Sequence, residues 1–135
     1  MASIIKVETL QDTDGNNSIG MQFVSSGSVK AYISVNQTGT QAINDSFNVA
    51  SIADNGTGLT GVTYTNNMSV SSHAVTMADN GQSFSGSAGG VNSNGNYPFS
   101  GNQKLTTRHG IDARSQTNSV TDKDDASTIV AGDLA

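Results

Sequence analysis

The run Val29-Lys30-Ala31-Tyr32-Ile33-Ser34-Val35 decides the fold class. Its alternation puts Val29, Ala31, Ile33 and Val35 on one face of an extended chain, the period-two pattern of a half-buried strand. Outward from it, the same signature predicts strands over Ile4 to Thr9, Gly20 to Val24, Phe47 to Ala53, Leu59 to Thr65 and Ala74 to Ala78. Towards the carboxyl end it predicts Lys104 to Thr107, Gly110 to Arg114 and Ser127 to Val130. Each of these runs is rich in β-branched or aromatic residues, and helix signals are nearly absent.

Turn chemistry punctuates the runs. Asp14-Gly15, Asn55-Gly56, Asn80-Gly81 and Asn94-Gly95 supply the positive φ angles that type I′ hairpins need. Asn55-Gly56-Thr57-Gly58, between Ile52 and Leu59, is the most persuasive hairpin. Ala53-Asp54-Asn55-Gly56 recurs as Ala78-Asp79-Asn80-Gly81, so two hairpins are expected on one scheme, too few for a solenoid. Residues 81–103 are dominated by Gly, Ser and Asn, with Phe84, Tyr97 and Phe99 among them, and read as long loops. Residues 1–20 read as an extended amino-terminal arm: one strand carrying Ile4, Ile5, Val7 and Leu10, then the polar turn cluster Gln11 to Asn17. Residues 21–135 form the β-rich domain.

The chain has 135 residues, enough for one domain that buries about two thirds of its unfolded surface. Only 34% of residues are apolar and Trp is absent, so the core available to one copy is thin. Charged residues are 13% and proline occurs once, at Pro98, which separates this polarity from that of a disordered polyelectrolyte. A net charge of −5 with no Lys/Arg run argues against nucleic acid, because neutralising phosphates needs clustered cations. With no cysteine, disulfides and thiolate metal sites are excluded. No stretch approaches the roughly 20 apolar residues of a membrane helix, so membrane insertion is not expected. Met1 to Lys6 has no signal-peptide apolar region, which predicts synthesis as a soluble cytoplasmic product.

No catalytic constellation emerges. A Ser-His-Asp site needs a base, and the two histidines are His73, expected as a hydrogen-bonded spectator in a strand, and His109, expected in a turn. A glycosidase needs two carboxyls, but Glu8 is the only Glu, and Asp14, Asp54, Asp79 and Asp122 sit where turns are expected. Asp12-Thr13-Asp14-Gly15-Asn16 resembles the start of a calcium loop, yet Asn17 occupies the glycine position and no bidentate Glu follows; a β-turn accounts for it. Asp122, Asp124 and Asp125 read as a solvated loop. No enzyme activity, metal or cofactor is therefore expected. Asn94, Asn96, Tyr97 and Phe99 could meet a sugar, ring faces stacking on pyranose C–H groups while amides bond hydroxyls; anchoring of the loop on its own core is the competing reading.

Three stretches carry a resemblance: residues 3–17, Ser46 to Gly58 and Val130 to Ala135. They resemble small β-rich bacteriophage structural proteins, especially tail-fibre and related appendage proteins of phages of aquatic bacteria. The resemblance implies a virion component, a homotrimer whose thin subunit core is completed by neighbours. Family members often carry Trp in the strand that here is Val29 to Val35, and many are longer, with a separate tail-docking region. Two functions remain open at this point. In one the protein is a receptor-binding fibre subunit whose loops meet a bacterial surface glycan. In the other it is a capsid decoration (cement) protein whose arm clamps coat subunits. The expected class is all-β, an antiparallel β-sandwich by default for short strands with hairpin turns, with a trimeric interlocked β-prism as its rival.

Overall fold

A computed structural model describes residues 6–15, 17–79, 104–114 and 119–135. It is mostly antiparallel β-structure with one short helix, as the period-two patterning requires. The strands are β1 (Thr9–Gln11), β2 (Ser18–Gly20), β3 (Val29–Asn36), β4 (Ala42–Phe47), β5 (Val49–Asp54), β6 (Leu59–Tyr64), β7 (Ala74–Asp79), β8 (Arg108–Asp112) and β9 (Ala126–Ala131). They form a hairpin β1-β2, a four-stranded sheet in the order β4-β3-β9-β7, and a three-stranded sheet in the order β5-β6-β8.

The deciding run becomes β3, the inner strand between β4 and β9. Ala31, Ile33 and Val35 are fully buried, and the polar residues between them face away. Ile33 and Val35 meet Val62 of β6, Ile111 of β8 and Ala126 of β9 in one cluster, which side chains of both larger sheets build together. Ala31, Tyr64, Met68 and Val130 form a second cluster towards the other end. Val29 departs from expectation: the register against β9 shifts between Val29 and Ala31, so this bulge turns Val29 away from the core and leaves it 47% exposed.

The hairpin at Asn55 to Gly58 joins β5 to β6, with Asn55 N–H donating to the Leu59 carbonyl at 3.0 Å. It is a four-residue loop in which Gly56 and Gly58 take the positive φ values, 116° and 68°, so it is not the expected two-residue I′ turn. Asp54 forms the turn as expected, its carboxylate accepting from Gly56 N–H at 2.9 Å. β7 pairs with β9, and the turn expected after it at Asn80-Gly81 falls outside the described residues, as do residues 81–103 with Asn94-Gly95.

Four other expectations are corrected. Gly20 to Val24 is not a strand: β2 ends at Gly20 and Met21–Gly27 is the helix α1, with Met21 and Val24 half-buried at helical spacing. Phe47 to Ala53 is two strands, because Asn48 takes φ 57° and carries the chain from β4 in one sheet to β5 in the other. Its side chain secures that corner, donating to the Lys30 carbonyl at 2.9 Å and accepting from Asn66 N–H at 2.7 Å. The edge strand β4 was hidden by Asn44 and Asp45, residue types that favour turns. Lys104 to Thr107 is a turn closed by Leu105 and Arg108, and β8 starts there, earlier than the expected Gly110. The arm also differs within the described residues: of the expected strand Ile4 to Thr9, Lys6 to Glu8 are not in a strand, β1 spans Thr9–Gln11 and pairs with β2 as a hairpin, and Ile4 and Ile5 lie outside those residues.

Candidate functional site

Among the described residues two features bear chemistry: a buried polar chain between the sheets, and an open groove on the outer face of the four-stranded sheet.

The buried chain runs from Val70 to Thr128. His73 Nδ1 lies 2.9 Å from the Val70 carbonyl, His73 Nε2 3.0 Å from Tyr64 Oη, His109 Nδ1 2.9 Å from the same Oη, and His109 Nε2 2.9 Å from Thr128 Oγ1. The Tyr64 ring plane is inclined 30° to that of His109, an offset stack, and 70° to that of His73, an edge contact. Tyr64, His73, His109 and Thr128 are each at most 3% exposed. A carbonyl can only accept, so His73 Nδ1 carries the hydrogen, and in the neutral ring Nε2 then accepts from Tyr64 O–H. The Tyr64 oxygen in turn accepts from His109 Nδ1–H, which leaves His109 Nε2 to accept from Thr128 O–H. Every member is satisfied by a single hydrogen arrangement. Burial, and then the neighbouring His73, push His109 down to about 4, while burial raises the Tyr64 hydroxyl above its usual range.

His73 is hydrogen-bonded as expected, but it precedes β7 instead of lying within a strand. His109 is corrected outright: it is no turn residue but a buried member of β8, paired with Val62. The two histidines are 36 positions apart in the chain, and no local pattern places the β6 tyrosine between them. The period-two placement of Val62 and Tyr64 on one face was the available signal.

The other acidic candidates serve the fold. Asp12 accepts from Asn17 Nδ2 at 2.6 Å and its carbonyl takes Gly15 N–H at 3.2 Å, which is the expected turn. Asp122, Asp124 and Asp125 lie in a loop as expected, Asp122 and Asp124 exposed and Asp125 half-buried. Asp122 accepts from Gly58 N–H at 2.6 Å, and Asp125 accepts from Ser34 and Ser127 hydroxyls at 2.8 and 2.7 Å. Among the described residues no group of three or more His, Asp or Glu could hold a metal ion. No helix among them is long and apolar enough to cross a membrane.

The groove, of about 580 Å³, is walled by Val29, Tyr32, Phe47 and Ile129, with Ser34 and Asp45 beside them. Tyr32 and Phe47 are cross-strand partners and stack with ring centroids 6.1 Å apart. Phe47 is 54% and Ile129 49% exposed. The Asp45 carboxylate accepts from Tyr32 Oη at 3.3 Å and raises that hydroxyl's pKa. This face has no local signature in the sequence, because the turn-favouring Asn44 and Asp45 mask the β4 strand that builds it.

Of the arm residues, Val7, which precedes β1, and Leu10 of β1 are exposed, and Ile4 and Ile5 lie outside the described residues. The candidate glycan contacts Asn94, Asn96, Tyr97 and Phe99 also lie outside them. Compared with protein-family models, with curated proteins and with solved structures, the chain gives no match.

Proposed function

We propose that this chain is a non-catalytic bacteriophage virion subunit, a repeated piece of a homotrimeric tail-fibre or receptor-binding appendage that contacts the host surface. The observation that carries the reading is apolar surface left outside a thin core. Phe47, Ile129, Val29, Leu10 and Ile19 are all 45% or more exposed, in a chain that is only 34% apolar. Side chains placed in this way suit a subunit completed by its neighbours. The phage assignment rests on the resemblance of residues 3–17, Ser46 to Gly58 and Val130 to Ala135. A core to which both larger sheets contribute within one chain supports the sandwich over the interlocked prism, in which core residues would come from several chains.

The projecting β1-β2 hairpin favours a second reading, capsid decoration, in which the arm clamps coat subunits. Imaging the particle separates the two: copies over the head lattice mean decoration, and copies on an appendage mean a fibre. Light scattering on the purified protein is expected to give a trimer, and a monomer at every concentration would sink both trimeric versions. Replacing Tyr97 and Phe99 by Ala with the fold retained is expected to abolish adsorption to the host; unchanged adsorption removes those rings from the contact.

A further inference from the structure

Among the described residues, the side chains around the outer groove offer hydrogen-bond acceptors and apolar surface but no spare donor. Tyr32 Oη donates to the Asp45 carboxylate at 3.3 Å, and the hydroxyls of Ser34 and Ser127 both donate to Asp125, at 2.8 and 2.7 Å. Asn44 Nδ2 is directed to Ser34 Oγ and the Asp124 carbonyl at 3.3 and 3.5 Å. The side-chain hydrogens are thus committed, while the oxygens keep free lone pairs. Asp45 accepts one further bond, from Ser46 N–H at 2.8 Å, which leaves about half of its acceptor positions open. Beside these acceptors stand the stacked Tyr32–Phe47 pair and Ile129. Such a surface repels anions and gives nothing to an acceptor. It suits a cation that carries many hydrogens on an apolar stem.

We propose that the groove receives an arginine, flanked by apolar residues, from a neighbouring polypeptide of a different sequence. This deepens the subunit reading above by naming what a neighbour presents at this face. A guanidinium has five N–H donors and no acceptor, stacks on ring faces, and can bond one carboxylate through two of its N–H groups. With Phe47 54% and Ile129 49% exposed, the groove is too open to enclose a small free amine, whereas a polypeptide can cover rings and carboxylate together. A second copy of this chain does not fit. Its two arginines are both engaged, Arg114 with Asp112 at 2.8 Å and Arg108 likewise within the chain, and its amino-terminal arm sets Glu8, Asp12 and Asp14 near Lys6.

The probe is the peptide acetyl-glycyl-leucyl-arginyl-isoleucyl-glycinamide, titrated into isotope-labelled full-length protein and followed by amide NMR. Saturable shifts centred on β3, β4 and β9 are expected; no shift there at millimolar peptide overturns the proposal. Citrulline in place of the arginine keeps the shape and removes the charge, and is expected to weaken binding by roughly fivefold or more. Glutamate there should abolish it. Equal binding of the arginine and citrulline peptides refutes the contact. In Asp45→Asn the preference for arginine over citrulline should vanish, and Phe47→Ala should weaken the arginine peptide by roughly fivefold; an unchanged result with either variant counts against the proposal. Should Phe47→Ala lose the parent's circular dichroism spectrum, Ile129→Ala takes its place. The two readings fail separately. A trimer that ignores the peptide refutes this contact and leaves the subunit reading standing, whereas a monomer that binds it overturns the trimer and upholds the contact.

Discussion

Replacing Tyr64 by Phe keeps the ring between His73 and His109 and removes only the hydroxyl that both histidines use. Two buried groups lose their partner at once, the lone pair on His73 Nε2 and the hydrogen on His109 Nδ1. A buried polar group left unsatisfied costs about 1–3 kcal/mol, so the expected loss is roughly 2–6 kcal/mol. That is a large part of the 5–15 kcal/mol typical of a folded domain. Thr128→Val is nearly isosteric and strands one group, His109 Nε2, at an expected cost of about 1–2 kcal/mol. Urea unfolding at pH 7.5 reads both losses from the transition midpoint with an unchanged slope. A Tyr64→Phe variant within about 0.5 kcal/mol of the parent, or one less destabilised than Thr128→Val, would refute the directed chain.

Three further outcomes follow from particular contacts. His109 is neutral in the fold, with its pKa held at about 4 against 6.5 when unfolded, so the unfolded chain binds the extra proton first and stability falls as pH drops below 6.5. The full effect, reached near pH 4, is about 3 kcal/mol, and His109→Gln should flatten the slope between pH 6.5 and 5, above the carboxylate range. Gly58→Ala places a Cβ 2.6 Å from the Ala113 carbonyl oxygen and 2.7 Å from Thr121 N, at φ +68°, so a loss of more than about 2 kcal/mol is expected by thermal unfolding. Asn48→Ala should cost about 2–4 kcal/mol through its lost hydrogen bonds and positive φ, and Asn48→Gly should recover about 1 kcal/mol of that by removing the strain alone; equal losses would show that the backbone conformation contributes nothing.

By itself the sequence determined the strand chemistry: the alternation in Val29 to Val35, the Asn55 to Gly58 turn between β5 and β6, and the turn at Asp12 to Gly15 are local patterns that any register must respect. Local patterns could not show β4, because Asn44 and Asp45 also favour turns, and pairing against β3 overrides that preference. Nor could they show the bulge that exposes Val29, or α1, whose seven residues carry too few periodic positions to outweigh a strand reading. Pairing and packing alone brought Tyr64, His73, His109 and Thr128 together, since their contacts join residues up to 45 positions apart. The outer groove has the same origin: Tyr32, Phe47 and Ile129 are neighbours only because β3 lies between β4 and β9. Side-chain period is a property of one strand, whereas a shared site depends on which strands become neighbours, and that is settled by the burial of the core they enclose.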